Sequence, residues 1–292
     1  MKKIFVILFL FILLTNCSQN DEEDYSEFQL SETRLKPKMI IETNGDERYL
    51  LTSVIDLKED SFGNIYLLDD KECNVKVFSQ TGSFLRKFGS KGKGPGEFLR
   101  PEEMEFINDS ILISDSRLKR FTYFDLEGNY LRSQKLKNDS PGKFEIDSDN
   151  NIYNSTTMFR FSGEYKKIPL LKIYNSKFEL INKLGNYKVY DSQYKTYIMN
   201  MLSFDLNSKN QPIIAYMIQN RLDLINQKNK TIRIKRKLFY NPKEPNIVSK
   251  KDGDNWSFRA SYDPISFDIC LDNQYRTYRW TNHKTTQKCS KE

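Results

Sequence analysis

Val54-Ile55-Asp56-Leu57, then Asp60-Ser61-Phe62-Gly63-Asn64, Ile65-Tyr66-Leu67-Leu68-Asp69, Val75-Lys76-Val77-Phe78, Thr81-Gly82 and Phe84-Leu85-Arg86-Lys87-Phe88-Gly89 decide the fold. Short apolar runs are broken by Gly, Asn, Asp and Ser, and none has the 3.6-residue period of a long helix. Each run reads as a strand and each break as a turn. Gly supplies positive φ, while Asn and Asp side chains bond their own backbone. Four such strands make one antiparallel sheet.

The unit recurs. Met104-Glu105-Phe106-Ile107 leads to 111–115, 121–125 and 128–131. Phe144-Glu145-Ile146-Asp147 turns at Asp149-Asn150-Asn151 and leads to Ile152-Tyr153, 170–174 and 178–181. A fourth copy runs through 202–206, 212–216, 222–225 and 232–234, and a half copy through 267–272 and 275–278. Repeated four-stranded units predict an all-β protein, a β-propeller of four-stranded antiparallel blades. A sandwich would not explain the repeated Asp-x-x-Gly/Asn-Asn-Ile-Tyr phrase. Direct counting gives four units and a half. Residues 39–42 are expected to close the ring as a strand of the last blade, making five. A sixth requires a degenerate unit in 186–200 or 239–257. The polar stretch 281–292 reads as no strand, so the alternative is a ring one blade short with an unpaired edge.

The chain has 292 residues, 38% hydrophobic and 29% charged, enough for one large domain and unlike a disordered or polytopic membrane chain. Its 20 Phe and 17 Tyr suit strands and are expected between blades. There is one histidine, His283. A Ser-His-Asp triad has a single candidate base, and a His-rich metal site is excluded, which weighs against an enzyme.

Lys2 and Lys3 precede an apolar run over 4–14, too short to span a bilayer and suited to a signal peptide. Leu14-Thr15-Asn16-Cys17 resembles the bacterial lipobox, with Asn16 where a smaller residue is commoner. The resemblance implies cleavage after residue 16 and lipidation of Cys17. Multiple acyl chains, at about 0.8 kcal/mol per buried methylene, anchor firmly. Ser18-Gln19-Asn20-Asp21-Glu22-Glu23-Asp24 lacks the aspartate that retains lipoproteins at an inner membrane. It resembles the acidic signal that exports Bacteroidetes lipoproteins to the surface. The expected organisation is a signal peptide over 1–16, a lipidated acidic tether over 17–37 and a propeller over 38–292. Loss of Lys2 and Lys3 lowers the formal charge from +7 to +5.

Phe88-Gly89-Ser90-Lys91-Gly92-Lys93-Gly94-Pro95-Gly96-Glu97-Phe98, followed by Pro101, resembles the inter-blade connection of NHL-type repeats. With the lipoprotein start, the chain is similar over about residues 38–280 to the six-bladed β-propeller lipoproteins of Bacteroidetes. That resemblance implies six blades and an outer-membrane location, periplasmic or surface-exposed, rather than a reaction. Gly89, Gly92, Gly94, Pro95 and Gly96 are read as a tight inter-blade turn. A phosphate loop is excluded because no Gly-Lys-Ser/Thr and no βαβ unit accompany them.

Asp56, Asp147, Asp205 and Asp268 recur near inner-strand ends. Four acids could hold calcium without histidine, as in lactonase-type propellers, though Asp in such places usually caps turns. With Cys17 assigned to lipid, Cys73, Cys270 and Cys289 remain. No framework is expected, although a Cys73 bridge to Cys270 or Cys289 is conceivable. Arg233, Lys235 and Lys237 share one strand face and could touch lipid phosphates or an acidic glycan, or simply guard an edge. The reading is a monomeric exported binding module with a protein or glycan ligand at one propeller face, no cofactor and no nucleic acid. The alternative is a calcium-dependent hydrolase or lactonase on the same scaffold. Cys17→Ala is expected to leave the protein unlipidated and soluble in the periplasm on fractionation. A variant still found in the membrane fraction would overturn the lipobox reading.

Overall fold

A computed structural model describes residues 31–32, 40–41, 45–137, 139–156, 168–235, 246–252, 255–261, 268–271, 277–281 and 288–291. Its first strand is β1 (Ser31–Glu32). The first blade comprises β2 (Val54–Glu59), β3 (Ile65–Asp69), β4 (Asn74–Phe78) and β5 (Phe84–Phe88). A short parallel pair, β6 (Ser90–Lys91) and β7 (Glu97–Phe98), links it to the second. The second blade is β8 (Pro101–Ile107), β9 (Ser110–Asp115), β10 (Arg120–Asp125) and β11 (Tyr130–Lys135). The third is β12 (Phe144–Ile146), β13 (Ile152–Ser155), β14 (Leu171–Tyr174) and β15 (Leu180–Leu184). Helix α1 (Gln193–Met199), capped by Ser192, leads to the fourth: β16 (Leu202–Leu206), β17 (Pro212–Tyr216), β18 (Arg221–Ile225) and β19 (Thr231–Lys235). Then come a hairpin, β20 (Asn246–Asp252) and β21 (Asn255–Ser261), and three last strands, β22 (Asp268–Leu271), β23 (Thr277–Thr281) and β24 (Lys288–Lys291).

Each of the first four blades is an antiparallel meander in chain order. The innermost strands β2, β8, β12, β16 and β22 are neighbours in that sequence. The last sheet has the order β1-β24-β23-β22, so a strand from near the N-terminus completes it. The described residues therefore form five four-stranded sheets, the number that direct counting gives. Two expectations are corrected. The closing strand is Ser31–Glu32 rather than 39–42, since Ile40 and Ile41 lie outside any strand, and it falls within the stretch assigned to the tether. The polar stretch 281–292 does contribute a strand, β24. A closing edge strand is selected by backbone pairing more than by apolar side chains, so an apolar pattern misses it. Of the two places proposed for a sixth unit, one is loop and α1. The other overlaps the β20–β21 hairpin, which is bonded into no four-stranded sheet.

The turns repeat one geometry. Gly63, Gly82, Gly128, Asn150, Asn210 and Asn229 each take positive φ at the fourth position of an Asp/Asn/Ser-x-x-Gly/Asn turn. Phe178 occupies that position in the third blade with φ 61°, where a strand residue was expected. Its ring lies 5.5 Å from Phe121, a contact that offsets an unfavourable backbone.

The segments entering β2 and β8 are also held in a repeated way. Asp69, at the end of β3, accepts Thr52 and Ser53 N–H on one oxygen (2.7 and 3.0 Å). Its other oxygen accepts Lys71 and Glu72 N–H (3.1 and 3.0 Å). Asp115, at the end of β9, does the same for Leu99, Arg100, Arg117 and Leu118. Each buried carboxylate thus satisfies four loop N–H groups that lack ladder partners.

Aromatic residues fill the crevices between blades. Tyr66, Phe88, Phe98, Phe106 and Phe124 pack between the first and second. Phe121, Tyr123, Phe144, Tyr174 and Phe178 pack between the second and third, and Tyr153, Tyr187, Phe204 and Tyr216 between the third and fourth.

Burial opposes ionisation of Asp69, but the N–H groups of Glu72, Ser53, Thr52 and Lys71 outweigh it and hold the carboxyl below its ordinary value. A lowered folded value gives stability that is present above the unfolded value and lost as pH falls through the folded one. Asp69→Ala is expected to cost about 3 kcal/mol in urea unfolding at neutral pH, with the gap to wild type shrinking below about pH 4. A loss under about 0.5 kcal/mol would show that the four bonds do not anchor the blade.

Candidate functional site: the charged central channel

Strand alternation places every second residue of an inner strand on one face of its blade, turned towards the neighbouring inner strand and close to the axis because the strand is innermost. The pairs are Asp56 and Lys58 on β2, Glu103 and Glu105 on β8, Lys143 and Glu145 at β12, and Ser203 and Asp205 on β16. These groups feel one another electrostatically across the channel. Lys58 is ion-paired with Glu105. Asp56 accepts the Met104 N–H from the next blade at 2.8 Å, and Glu103 accepts the Phe144 N–H from the blade after that. Lys143 Nζ continues the series to Ser203 Oγ of the fourth blade at 3.4 Å.

Burial opposes ionisation of these acids, and the lysines among them act the other way. Burial pushes Glu103 up to about 8, opposed by Lys143 and Lys58 and reinforced by Asp56 and Glu105. Burial likewise raises Glu105 against the pull of Lys58. Glu145 is raised well above its ordinary value by burial, then by Glu105. Asp56 is raised by burial despite Lys58. Burial would lower Lys58, but Glu105, Asp56, Glu145 and Glu103 together hold it well above its ordinary value. The channel thus concentrates carboxyls whose ionisation burial opposes around a lysine that they hold charged, a set able to accept and donate hydrogen bonds.

The four aspartates read from the sequence divide. Asp56 and Asp205 belong to this channel. Asp268 lies on β22, the inner strand beside β16. Asp147 does not join them. Its oxygens accept the Asp149 and Asn151 N–H groups and the Asn151 amide, so it caps the β12–β13 turn. Among the described residues no three Asp, Glu, Cys or His gather closely enough to hold a metal ion. Glu103, Glu105 and Glu145 were missed. The signal was present as acids at period two on strands already identified as innermost.

The glycine-rich link is structural. Glu97 Oε2 accepts the Gly94 N–H at 2.7 Å, and a Cβ on Gly92 would lie 2.0 Å from that oxygen. Pro95 and Gly96 (φ 73°) form the turn between Gly94 and Glu97, and Gly89 packs on the Phe98 ring. Cys73 is buried and free, so the conceivable bridge is not formed; its Sγ–H donates to Asp70 O. Cys270 and Cys289 lie on β22 and β24. Arg233 is half-buried, and its Nε donates to the buried Asp223 at 3.1 Å. Lys235 ends β19, while Cys17, Lys237 and His283 lie outside the described residues. Among the described residues no helix is long and apolar enough to cross a membrane.

A family model described as 6-bladed beta-propeller matches residues 39–255. No curated protein matches the chain in sequence. Among solved structures, a protein from Bacteroides fragilis described as exported is 14% identical, with 87% of this chain and 84% of that one covered and a TM-score of 0.55. A member of the DUF4221 family from Bacteroides vulgatus is 10% identical, with 88% and 78% covered and a TM-score of 0.53. At these identities the likeness concerns the fold.

If Glu103 holds its proton in the folded state, stability is fully present below the unfolded carboxyl value and lost as pH rises through about 8. Tm is expected to fall between about pH 5 and about pH 9, and by a smaller amount in Glu103→Gln, in which Asp56, Glu105 and Glu145 still titrate. Equal slopes in the two proteins would place the titration elsewhere.

Proposed function

The chain belongs to the 6-bladed beta-propeller family, and from that premise we propose that it is an exported outer-membrane lipoprotein whose propeller is a binding module. The lipidated Cys17 would be the anchor and the acidic segment after it the tether. One observation carries the binding role: the inner strands hold Asp56, Glu103, Glu105, Glu145 and Asp205 against Lys58 and Lys143. A channel needed only to close a ring could be lined with small or apolar residues. Carboxyls outnumbering lysines five to two instead favour a ligand rich in hydrogen-bond donors, a hydroxyl- or amine-bearing glycan. Sequestered carboxyls would bond sugar hydroxyls more strongly than exposed ones, because water competes less.

The test is calorimetric titration of the purified full chain with malto-oligosaccharides and with de-N-acetylated chito-oligosaccharides. Saturable binding of either, weakened about tenfold or more in Glu145→Gln, supports the reading. No binding of either series, or affinity unchanged in Glu145→Gln, overturns it. So does calcium-dependent ester hydrolysis by the same preparation, which would favour the hydrolase.

A further inference from the structure

A second site lies at the crevice between the third and fourth blades. Arg120 and Arg221 are equivalent positions, since each opens the third strand of its blade. In the second blade the Arg120 guanidinium donates to Gly94 O and Glu97 O, both at 2.7 Å. These carbonyls belong to the glycine-rich link that folds over it. The link preceding the fourth blade is built differently, passing through Gly185 and Asn186 to α1. There a cavity of about 310 Å³ opens beside Arg221.

The walls of the cavity are preorganised. Asp223, buried, accepts the Tyr216 hydroxyl at 2.9 Å and holds Arg221 at 3.3 Å and Arg233 at 3.1 Å. The equivalent pair in the second blade is neutral, Thr122 Oγ1 with Ser133 Oγ. Arg221 stacks on the Tyr216 ring at 4.0 Å; its buried Nε–H has no acceptor, and neither has that of Arg120, so the two differ in what their terminal nitrogens meet. Lys188 adds a third cation from the link itself, so the described residues that line the cavity include three cations and one carboxylate. Leu170 and Ile225 supply an apolar floor.

We propose that this crevice binds a small oxyanion, a carboxylate- or phosphate-bearing molecule of about monosaccharide size. The ligand's oxygens take the place that Gly94 O and Glu97 O fill against Arg120. The Arg221 guanidinium, fixed by Asp223 and stacked on Tyr216, presents a forked donor at little entropic cost, the geometry that suits planar or tetrahedral oxyanions. The volume falls at the small end of ligand sites. The site is separate from the channel, so it stands whether or not a glycan binds there.

Calorimetric titration of the full chain with glucuronate, glucose 6-phosphate and glucose tests the proposal. At least one of the two anions is expected to bind and glucose to fail, and whichever anion binds identifies the oxyanion. Lys188→Gln, an exposed change, and Arg221→Gln should each weaken binding about tenfold. The proposal is overturned if neither anion binds, if glucose binds equally, or if Lys188→Gln leaves the affinity unchanged. The Lys188 variant keeps this decisive even if Arg221→Gln misfolds.

Discussion

The innermost strand of a blade has one edge with no neighbour in its own sheet. Its N–H groups on that side face the axis and need acceptors. Here the acceptor comes from the preceding blade: Asp56 takes the Met104 N–H, and Glu103 takes the Phe144 N–H. The same step is made twice, from equivalent positions, one blade apart. It ties the spacing of the blades to the chemistry of the channel, because the group that satisfies the backbone is also the group that lines it. An apolar residue at 56 or 103 would leave the next strand's N–H unmatched. A long basic one would add a second donor.

That arrangement is costly by itself. Carboxyls drawn out of water resist ionisation, as the raised values of Glu103 and Glu145 reflect. The compensation lies farther from the axis, where large side chains close each crevice. A fully buried Phe or Leu contributes about 1.5–3 kcal/mol, and Phe78, Phe98, Phe121, Phe124 and Phe144 are all essentially inaccessible. The aromatic load of the sequence therefore has a definite place: it offsets a polar axis.

The blades were legible because period-two alternation and turn chemistry are local. Asp60-x-x-Gly63-Asn64 and Asp147-x-x-Asn150-Asn151 announce the same turn wherever they occur, and strands follow from them. What is not local was harder to read. The closing strand Ser31–Glu32 carries no apolar signature, since its role is backbone pairing with β24. Asp147 and Glu145 are two residues apart, yet one caps a turn and the other faces the channel. Attention to Asp at strand ends selected the first and passed over the second. Arg233 shows a related difficulty. Its place on an alternating face was correct, but the partner that turns it inward, Asp223, lies on the neighbouring strand.

A repeat fold also supplies its own controls. Arg120 and Arg221 have the same place in two blades, so the difference in their surroundings comes from the links rather than from the sheets. Where the link carries Gly92, Gly94 and Gly96, its backbone lies close enough to cover the guanidinium, and a Cβ at Gly92 would strike Glu97. Where it carries Asn186, Lys188 and a helix, the backbone stands off and a cavity remains. Thr122 with Ser133 in the covered blade becomes Asp223 with Arg233 in the open one. The exchange puts charge where a guanidinium has lost its carbonyls. A blade that served packing alone would have no use for an ion pair there, since a buried pair rarely outperforms a neutral one in stability. The departures from the repeat, rather than the repeat itself, are where recognition can be built.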